Sequence, residues 1–299
     1  MVKPLKAGDV VGIAAPSSPF DRNLFKHGLS QLHKMGFETW HRDDIFQQER
    51  YLAGSDERRA EELTELFTKK EIKAILFARG GYGSQRIIRY LKIDTIKKHK
   101  KPVVGFSDIT ALLNFLNQET LMPTFYGPVI TQLGNHPTSR TIESLKNCLT
   151  QNEPPPPIDL SNCRVLKEGK SEAKLAGGCL SLIASSVGTP YELKTSGVIL
   201  FFEDTGEKIY ALDRMLTHLK NAGKFEGVNG ILVGALEPRE GEVHSMDGMF
   251  GDIFKDFDGP IVTHFPAGHT NDFVTLPLNS RIVLDTQTRR LEFKESLLK

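Results

Sequence analysis

Cysteine is scarce in this chain, and its spacing excludes two classes of protein. The 299 residues contain three cysteines, at Cys148, Cys163 and Cys179. An odd number without a CxxC pair is typical of neither a disulfide framework nor a zinc site. We therefore expect reduced thiols, as in a cytoplasmic protein.

Long apolar runs are also missing. The first apolar stretch, residues 10–15, is too short for the core of a signal peptide and lacks a cleavage context. No segment approaches the roughly 18 apolar residues that a membrane-spanning helix needs. The sequence therefore predicts a soluble, cytoplasmic protein with no membrane partner.

Neither sign of charge is in excess. The chain has 38 Lys and Arg against 37 Asp and Glu, a net charge of +1, so no strong field for nucleic acid is expected. One dense basic run, residues 97–101, lies between a helical pattern and an apolar strand. Short charge runs are usually exposed, which predicts a solvated loop there.

Apolar runs of strand length alternate with segments of helical period in the first half. Near-continuous apolar strands are typical of a parallel sheet covered by helices on both faces, which predicts an α/β fold. The predicted strands are 10–15, 74–78 and 102–106, and the predicted helices are 25–35, 84–91 and 109–117.

Four consecutive prolines at 154–157 predict a stiff connector, because proline fits neither a helix interior nor a central strand. We expect a Rossmann-like α/β domain over 1–150, a linker over 151–165 and a largely β domain over 166–299. The second half contains strong apolar strands at 198–202 and 230–234, and its last forty residues are mostly β in pattern.

Two polar or glycine-rich segments follow strands of the first half, where ligands bind in parallel sheets. Ser107 lies between the strand 102–106 and a helix, and either it or Asp108 could simply cap that helix. The alternative is a nucleophile elbow, although Ile109 replaces the second glycine of GxSxG. Residues 79–84, with Gly80, Gly81 and Gly83, fit a flexible turn, a weak nucleotide fingerprint or an oxyanion hole.

Two further segments could complete a catalytic set. Glu203 directly follows an apolar strand and His269 follows a glycine, although each could also be an ordinary solvated residue. A serine hydroxyl needs an imidazole to take its proton, and a carboxylate to orient that imidazole. His264, His269, Asp272 and Glu203 could instead bind a metal, but no HxxxH or HxH spacing supports this.

At these segments the sequence resembles the LD-carboxypeptidases, the S66-type serine peptidases that trim murein tetrapeptides and include the microcin C immunity peptidases. Blocks in matching order extend over nearly the whole chain. They are residues 8–18, 51–56, 79–84, 105–110, 175–178, 188–191, 203–204, 213–214 and 268–269.

The resemblance implies a role for each of the catalytic candidates. Ser107 would be the nucleophile, His269 the general base and then acid, and Glu203 the group that orients His269. The backbone amides of Gly81 and Asp108 would form the oxyanion hole. The family fold joins a Rossmann-like domain carrying the serine to a largely β domain carrying the other two residues, with the active site between them.

The resemblance also implies a reaction. Acyl transfer to Ser107 would release the terminal D-alanine of a murein tetrapeptide, and water would hydrolyse the acyl-enzyme, with no metal or organic cofactor. The substrate would be a recycled muropeptide in the cytoplasm, and the protein would be a homodimer. Arg79, Tyr82 and Arg214 are candidates for binding substrate carboxylates.

Two positions depart from the commonest family pattern and leave the substrate open. Tyr126 replaces a histidine before Gly127-Pro128, and Cys179 replaces an asparagine after paired glycines. The alternatives are an immunity-type peptidase acting on peptidyl or aminoacyl nucleotides and a non-catalytic small-ligand binder. The first would need an aromatic surface for the base, and the only tryptophan, Trp40, is distant in sequence from the other site segments.

Overall fold

The strands of the computed structural model form two sheets. The structure describes residues 2–237 and 243–299. In chain order the strands are β1 (Val10–Ala14), β2 (Glu38–Trp40), β3 (Ile72–Phe77), β4 (Val103–Gly105), β5 (Thr124–Tyr126), β6 (Ile158–Asp159), β7 (Arg164–Lys167), β8 (Lys170–Cys179), β9 (Val198–Thr205), β10 (Gly230–Glu237), β11 (Ile261–Thr263), β12 (Leu276–Leu278), β13 (Arg281–Asp285) and β14 (Arg290–Phe293).

The helices begin after these strands or in the connections between them. None in the described part of the chain is both long and apolar enough to cross a bilayer. They are α1 (Arg22–Lys34), α2 (Asp56–Thr68), α3 (Ser84–Ile87), α4 (Ile93–Lys98), α5 (Thr110–Thr120), α6 (Ile130–Leu133), α7 (Ser139–Thr150), α8 (Leu180–Ser186), α9 (Ile209–Asn221) and α10 (Val243–Ile253).

The first sheet has the order β12-β5-β4-β3-β1-β2. Strands β1 to β5 pair in parallel, and β12 is antiparallel to β5. Successive strand residues point to opposite faces, so a strand buried along its whole length is covered on both sides. Strands β4 and β5 are buried throughout, and the predicted parallel α/β sheet is confirmed.

The second sheet has the order β6-β14-β13-β8-β9-β10-β11-β7. Its central strands β8, β9, β10 and β11 are parallel, with α8, α9 and α10 as the crossover segments, and the outer strands are antiparallel. This mixed sheet agrees with the expected, largely β second part. The sequence did not predict strand β8, because its first half, residues 170–174, alternates exposed and half-buried positions without an apolar run.

Two compact units contain these sheets. The first unit comprises the residues up to Pro154 with Asn271–Leu278 and Ser296–Lys299, and the second comprises Pro155–Thr270 and Asn279–Glu295. The division between the two units falls within the proline run, between Pro154 and Pro155.

The two units therefore differ from the ranges drawn from the sequence. Residues 158–159 and 164–167 of the expected linker form β6 and β7 of the second sheet. Residues 271–278 and 296–299, expected in the second domain, belong to the first unit. The physical reason is pairing: Leu276, Pro277 and Leu278 complete the edge of the first sheet beside β5.

Candidate active site

Ser107 occupies a strained turn between β4 and α5. Phe106 is extended, Ser107 has a φ of +60°, and a 3₁₀ turn over Ser107–Ile109 leads into the helix. The left-handed region is unfavourable for a residue with a Cβ, and such strain is commonly found at functional sites. The cap position belongs to Phe106, and no side chain caps this turn. Ser107 is thus not the helix cap that its local sequence also allowed.

Tyr126 supports this turn from the neighbouring strand. Its buried hydroxyl accepts a hydrogen bond from the Ser107 backbone N–H at 3.3 Å. Its ring packs against Phe106 and Phe273, with centroids 6.2 and 5.9 Å away. From the sequence, Tyr126 was expected only to affect the choice of substrate. Its contact with the serine turn depends on the strand register that pairs Gly105 with Tyr126, and no local sequence pattern indicates this register.

The glycine-rich loop lies directly against Ser107. A Cβ added to Gly80 would stand 2.9 Å from the Ser107 Cβ and 3.1 Å from its Oγ, with the Asp108 backbone nitrogen 3.5 Å away. Contacts of this kind leave no room for a side chain at Gly80. The loop therefore brings main chain close to the serine hydroxyl, in place of a bulky group.

Ser18 holds the same loop from the segment after β1. Gly81 has a φ of +102°, and a Cβ there would lie 2.5 Å from the Ser18 Oγ. The Ser18 backbone N–H donates to the Gly80 carbonyl at 3.3 Å, and its Oγ accepts from the Tyr82 N–H at 3.1 Å. These bonds set the orientation of the peptide units on both sides of Gly81.

Asp108 links three segments through its buried carboxylate. Its Oδ2 accepts hydrogen bonds from the Ser17 Oγ at 2.5 Å and from the Ser84 N–H at 2.8 Å. The Ser84 hydroxyl donates in turn to the Asp108 carbonyl. The side chain of Asp108 is therefore part of the framework that fixes the turn, whereas the role expected from the resemblance concerns its backbone N–H.

Arg59 on helix α2 binds the segment after β1 and the glycine-rich loop, and the sequence offered no reason to single it out. This fully buried guanidinium donates to the carbonyl oxygens of Pro16 and, at 2.9 Å, Gly83. It also pairs with Asp56, whose carboxylate binds Arg86 at 2.8 Å. The only sequence signal was the block 51–56, in which Ser55 caps the helix by accepting from the Arg58 N–H.

Glu62, on the same helix, holds the carboxyl end of β1. Its Oε2 accepts from the Ala15 N–H at 2.8 Å, and the Arg58 guanidinium binds both carboxylate oxygens at 3.0 Å. Burial raises the pKa of Glu62 to about 7, although Arg58 and the Ala15 N–H act in the opposite direction. The segment leading to Ser17 and Ser18 thus has a second buried anchor.

Glu203 and His269 meet within the second unit. The Glu203 Oε2 accepts from the His269 Nδ1 at 2.7 Å and from the His269 backbone N–H at 3.0 Å. Glu203 is fully buried, so it is not the solvated turn residue that the sequence also allowed, whereas His269 is 22% exposed. With the proton on Nδ1, the Nε2 lone pair is the acceptor that a general base needs.

Glycines make this pair possible. A Cβ on Gly268, which has a φ of +107°, would lie 2.2 Å from the Glu203 Oε2. One on Gly234 would lie 2.9 Å from the Glu203 Cβ. Loop and strand can approach closely only because both positions lack side chains.

Cys179 lies beside Glu203, since the two residues are register partners on β8 and β9. Burial, followed by the nearby Asp204 and Glu203 carboxylates, raises the pKa of the Cys179 thiol well above its usual range. Asp204 accepts from the Ser181 N–H at 2.8 Å at the start of α8. The thiol is therefore a neutral neighbour of the pair.

The candidates for substrate binding are exposed. Arg79 donates to the Pro19 carbonyl at 2.6 Å, and Arg214, on α9 in the second unit, lies over the Tyr210 ring at 5.4 Å. Tyr82 is 47% exposed and its ring centroid lies 5.8 Å from that of Tyr51, itself 54% exposed. Tyr51 was missed because a lone exposed tyrosine has no sequence signature.

Two other features bear on the alternatives. Trp40 lies under the Lys69 ammonium group, 4.6 Å from its ring centroid. Among residues 2–237 and 243–299, no three His, Cys, Asp or Glu side chains are grouped as metal ligands. The set of His264, His269, Asp272 and Glu203 forms no such group.

Known proteins match this chain over most of its length. Residues 11–127 match the family profile of the LD-carboxypeptidase N-terminal domain, and residues 172–284 that of the LD-carboxypeptidase C-terminal domain. The probable murein peptide carboxypeptidase of Bacillus subtilis (strain 168) is 35% identical over 292 residues, which cover 95% of this chain and 91% of that protein.

Solved structures extend the comparison to three dimensions. MccF, a microcin C7 self-immunity protein, in complex with glutamyl sulfamoyl guanosine superposes with a TM-score of 0.92 at 26% identity, covering 100% of this chain and 99% of that one. Muramoyltetrapeptide carboxypeptidase from Oxalobacter formigenes gives 0.85 at 26% identity, covering 95% and 97%. The resemblance drawn from the sequence blocks and the predicted fold class are both confirmed.

Proposed function

The chain belongs to the LD-carboxypeptidase family and is a serine-type peptidase, and from that premise we propose that it releases the terminal D-alanine of murein tetrapeptides. The bond cleaved is the amide between an L-configured centre and the D-residue. Two of the similar proteins carry the names probable murein peptide carboxypeptidase and muramoyltetrapeptide carboxypeptidase. The proposal includes cytoplasmic cell-wall recycling and a homodimer.

The strongest support for the chemistry comes from the turn at Ser107. A serine with φ of +60° directly after a parallel strand, with the backbone of Gly80 against its side chain, is the arrangement of a nucleophile elbow. In the proposed reaction the Ser107 Oγ attacks the carbonyl carbon of the scissile amide. The C–N bond then breaks, D-alanine leaves, and the acyl group remains as an ester on Ser107.

His269 is the proposed proton carrier. Its Nε2 takes the proton of the Ser107 hydroxyl and gives it to the leaving amine, then repeats both steps with water during deacylation. Glu203 holds the imidazole in the required tautomer and stabilises the imidazolium. The 2.7 Å bond from Nδ1 to a fully buried carboxylate supports this role.

Two backbone amides, of Gly81 and Asp108, are the proposed oxyanion hole. The bare backbone of Gly80 lies against the Ser107 side chain, and the two hydrogen bonds of Ser18 fix the peptide units on both sides of Gly81. Backbone N–H groups fixed beside the nucleophile are the donors that stabilise a tetrahedral intermediate, and Asp108 directly follows Ser107 in the 3₁₀ turn. Arg79, Tyr82 and Arg214 are the proposed contacts of the substrate's carboxylates.

Release of D-alanine tests the proposal directly. Purified protein is incubated with L-Ala-γ-D-Glu-meso-diaminopimelate-D-Ala, and D-alanine and tripeptide are measured. We expect equal amounts of both products, and none from the matched peptide that ends in L-alanine. Absence of D-alanine would contradict the murein substrate, and equal cleavage of both peptides would contradict the specificity for an L–D bond.

A second candidate is cleavage of an amide in peptidyl or aminoacyl nucleotides. The observation that favours it is the exposed Tyr51–Tyr82 pair beside the glycine loop, because stacking on aromatic rings binds bases. The MccF structure contains an aminoacyl nucleotide analogue. Glutamyl sulfamoyl adenosine is the test substrate, and Tyr51→Ala should raise its KM about tenfold while leaving the tetrapeptide KM unchanged.

A further inference from the structure

The first unit has a cavity at the edge of its sheet opposite Ser107. Strands β1, β3 and β4 run in parallel, so their amino ends share one edge and their carboxyl ends the other. A cavity of about 410 Å³ lies at the amino ends, lined by residues that include Asp9 before β1, Ile72 at the start of β3 and Lys101 before β4. The serine turn and the glycine loop follow the carboxyl ends.

Six lysines line this cavity, against one carboxylate. They are Lys3, Lys6, Lys70, Lys73, Lys100 and Lys101. The chain as a whole has a net charge of only +1, so the cavity is a local concentration of positive charge. Like charges around a concave, low-dielectric wall reinforce one another and attract anions.

In the part of the chain that the structure describes, none of these six lysines forms an ion pair, although Glu71 attracts the Lys101 ammonium group. Adjacent Lys69, in contrast, lies 3.4 Å from Glu65 and 3.9 Å from Glu71. The one lining carboxylate, Asp9, accepts the Lys6 backbone N–H at 2.8 Å. The cavity therefore retains a positive field.

Lys101 shows that the charge extends below the surface. It is 8% exposed, and its Nζ donates to the carbonyl oxygens of Leu66 at 2.7 Å and Lys69 at 2.5 Å. These carbonyls lie at the C-terminal end of α2, where the helix dipole favours a cation. Burial lowers the pKa of Lys101 to about 8. An anion in the cavity would offset this cost of holding a buried ammonium group.

The basic run noted in the sequence is divided by the structure. Lys97 and Lys98 are exposed as expected but form the end of α4 and not a loop, whereas Lys100 and Lys101 line the cavity. The residues facing the cavity come from the N-terminal segment, the end of α2, the start of β3 and the approach to β4. No continuous stretch of sequence reveals this convergence.

We propose that this cavity binds a small molecule carrying several closely spaced phosphate groups. Its volume is in the range of small-ligand sites and too small for a polymer to enter. Ammonium groups are effective phosphate partners as point charges. The site lies apart from the peptidase residues of the same unit and binds its ligand whether or not a peptide is present.

Calorimetric titration of the full chain with inorganic tripolyphosphate tests the site. We expect saturable one-to-one binding that weakens as salt is added. The triple variant Lys70→Ala, Lys73→Ala, Lys100→Ala should lose at least about tenfold in affinity. The matched double variant Lys97→Ala, Lys98→Ala removes charge from the same run outside the cavity and should bind like the unsubstituted protein.

In the titrations, the proposal would be overturned by no saturable binding, by a triple variant that binds unchanged, or by an equal loss of affinity in the double variant. If the triple variant does not fold, Lys100→Glu reverses one exposed charge and should still weaken binding. Co-sedimentation with phosphatidylglycerol vesicles separates the sources of phosphate. Binding to vesicles but not to tripolyphosphate would assign the surface to a membrane and overturn the small-molecule site.

Discussion

Ser107 and His269 are held in position by different means. Ser107 depends on main-chain shape: a φ of +60°, the bare backbone of Gly80 against its side chain, and the Tyr126 hydroxyl on its N–H. His269 depends on one buried carboxylate that accepts both its Nδ1–H and its backbone N–H.

The contrast separates two kinds of sensitivity. A position fixed by close packing of backbone should tolerate changes of charge nearby but not added volume. A position fixed by a carboxylate should be sensitive to the loss of that charge even when volume is kept. Four substitutions test this difference.

The largest effect is expected from Ser107→Ala. Removing the Oγ removes the proposed nucleophile, and kcat for D-alanine release should fall by about 10⁴-fold or more. Activity is measured with the tetrapeptide, and circular dichroism checks the fold. Near-normal activity of the variant would contradict the assignment of Ser107 as the nucleophile. If the unsubstituted protein and the variant were both inactive, the result would favour a non-catalytic small-ligand binder.

Glu203→Gln keeps the volume of the side chain but removes its charge. The amide cannot stabilise an imidazolium and favours the wrong tautomer, so kcat should fall by about 10²- to 10⁴-fold with little change in KM. The matched control is Glu172→Gln, the same chemical change at an exposed position on β8. If Glu203→Gln kept full activity, as the control should, the charge of Glu203 would not be required for the proposed role of His269.

Gly80→Ala adds one methyl group and no charge. The new Cβ would stand 2.9 Å from the Ser107 Cβ, so the loop or the serine must shift, and kcat should fall about 10²-fold. Gly251→Ala is the control, because a Cβ there meets nothing within 4 Å. Full activity of Gly80→Ala would show that shape does not control the serine.

The smallest effect concerns stability. Ser107→Gly and Ser107→Ala both lack the hydroxyl, but only glycine adopts a φ of +60° without strain. The free energy of unfolding of the glycine variant should be about 1 kcal/mol larger than that of the alanine variant. Chemical denaturation measures the difference. Equal stabilities would mean that the turn stores no strain.

Much of the first sheet could be predicted from the sequence because its strands are buried on both faces. Runs at 10–15, 74–78 and 102–106 correspond to β1, β3 and β4. Strand β12 could not be assigned to this sheet, because its partner β5 is about 150 residues earlier. Local apolar pattern predicts that a strand exists but not which neighbour it pairs with.

The candidate site shows the same limit. Ser107, Glu203 and His269 were selected by residue type and motif, and the structure joins Glu203 to His269 by hydrogen bonds. The sequence did not predict how these residues are supported. Tyr126 and Gly80 were singled out for other reasons and Arg59 was not, because all three act through register, close approach and buried hydrogen bonds between distant segments. Such relations depend on tertiary packing, which no local pattern contains.

Because residues 271–278 belong to the first unit, they determine which fragment of the protein can be expressed separately. A gene fragment that stops at Pro154 would omit β12 and leave β5 as a bare, apolar edge open to intermolecular pairing. It would also lose Phe273, whose ring contacts Tyr126. A separately expressed first unit should therefore carry residues 271–278 grafted after Pro154, and without that graft it should aggregate.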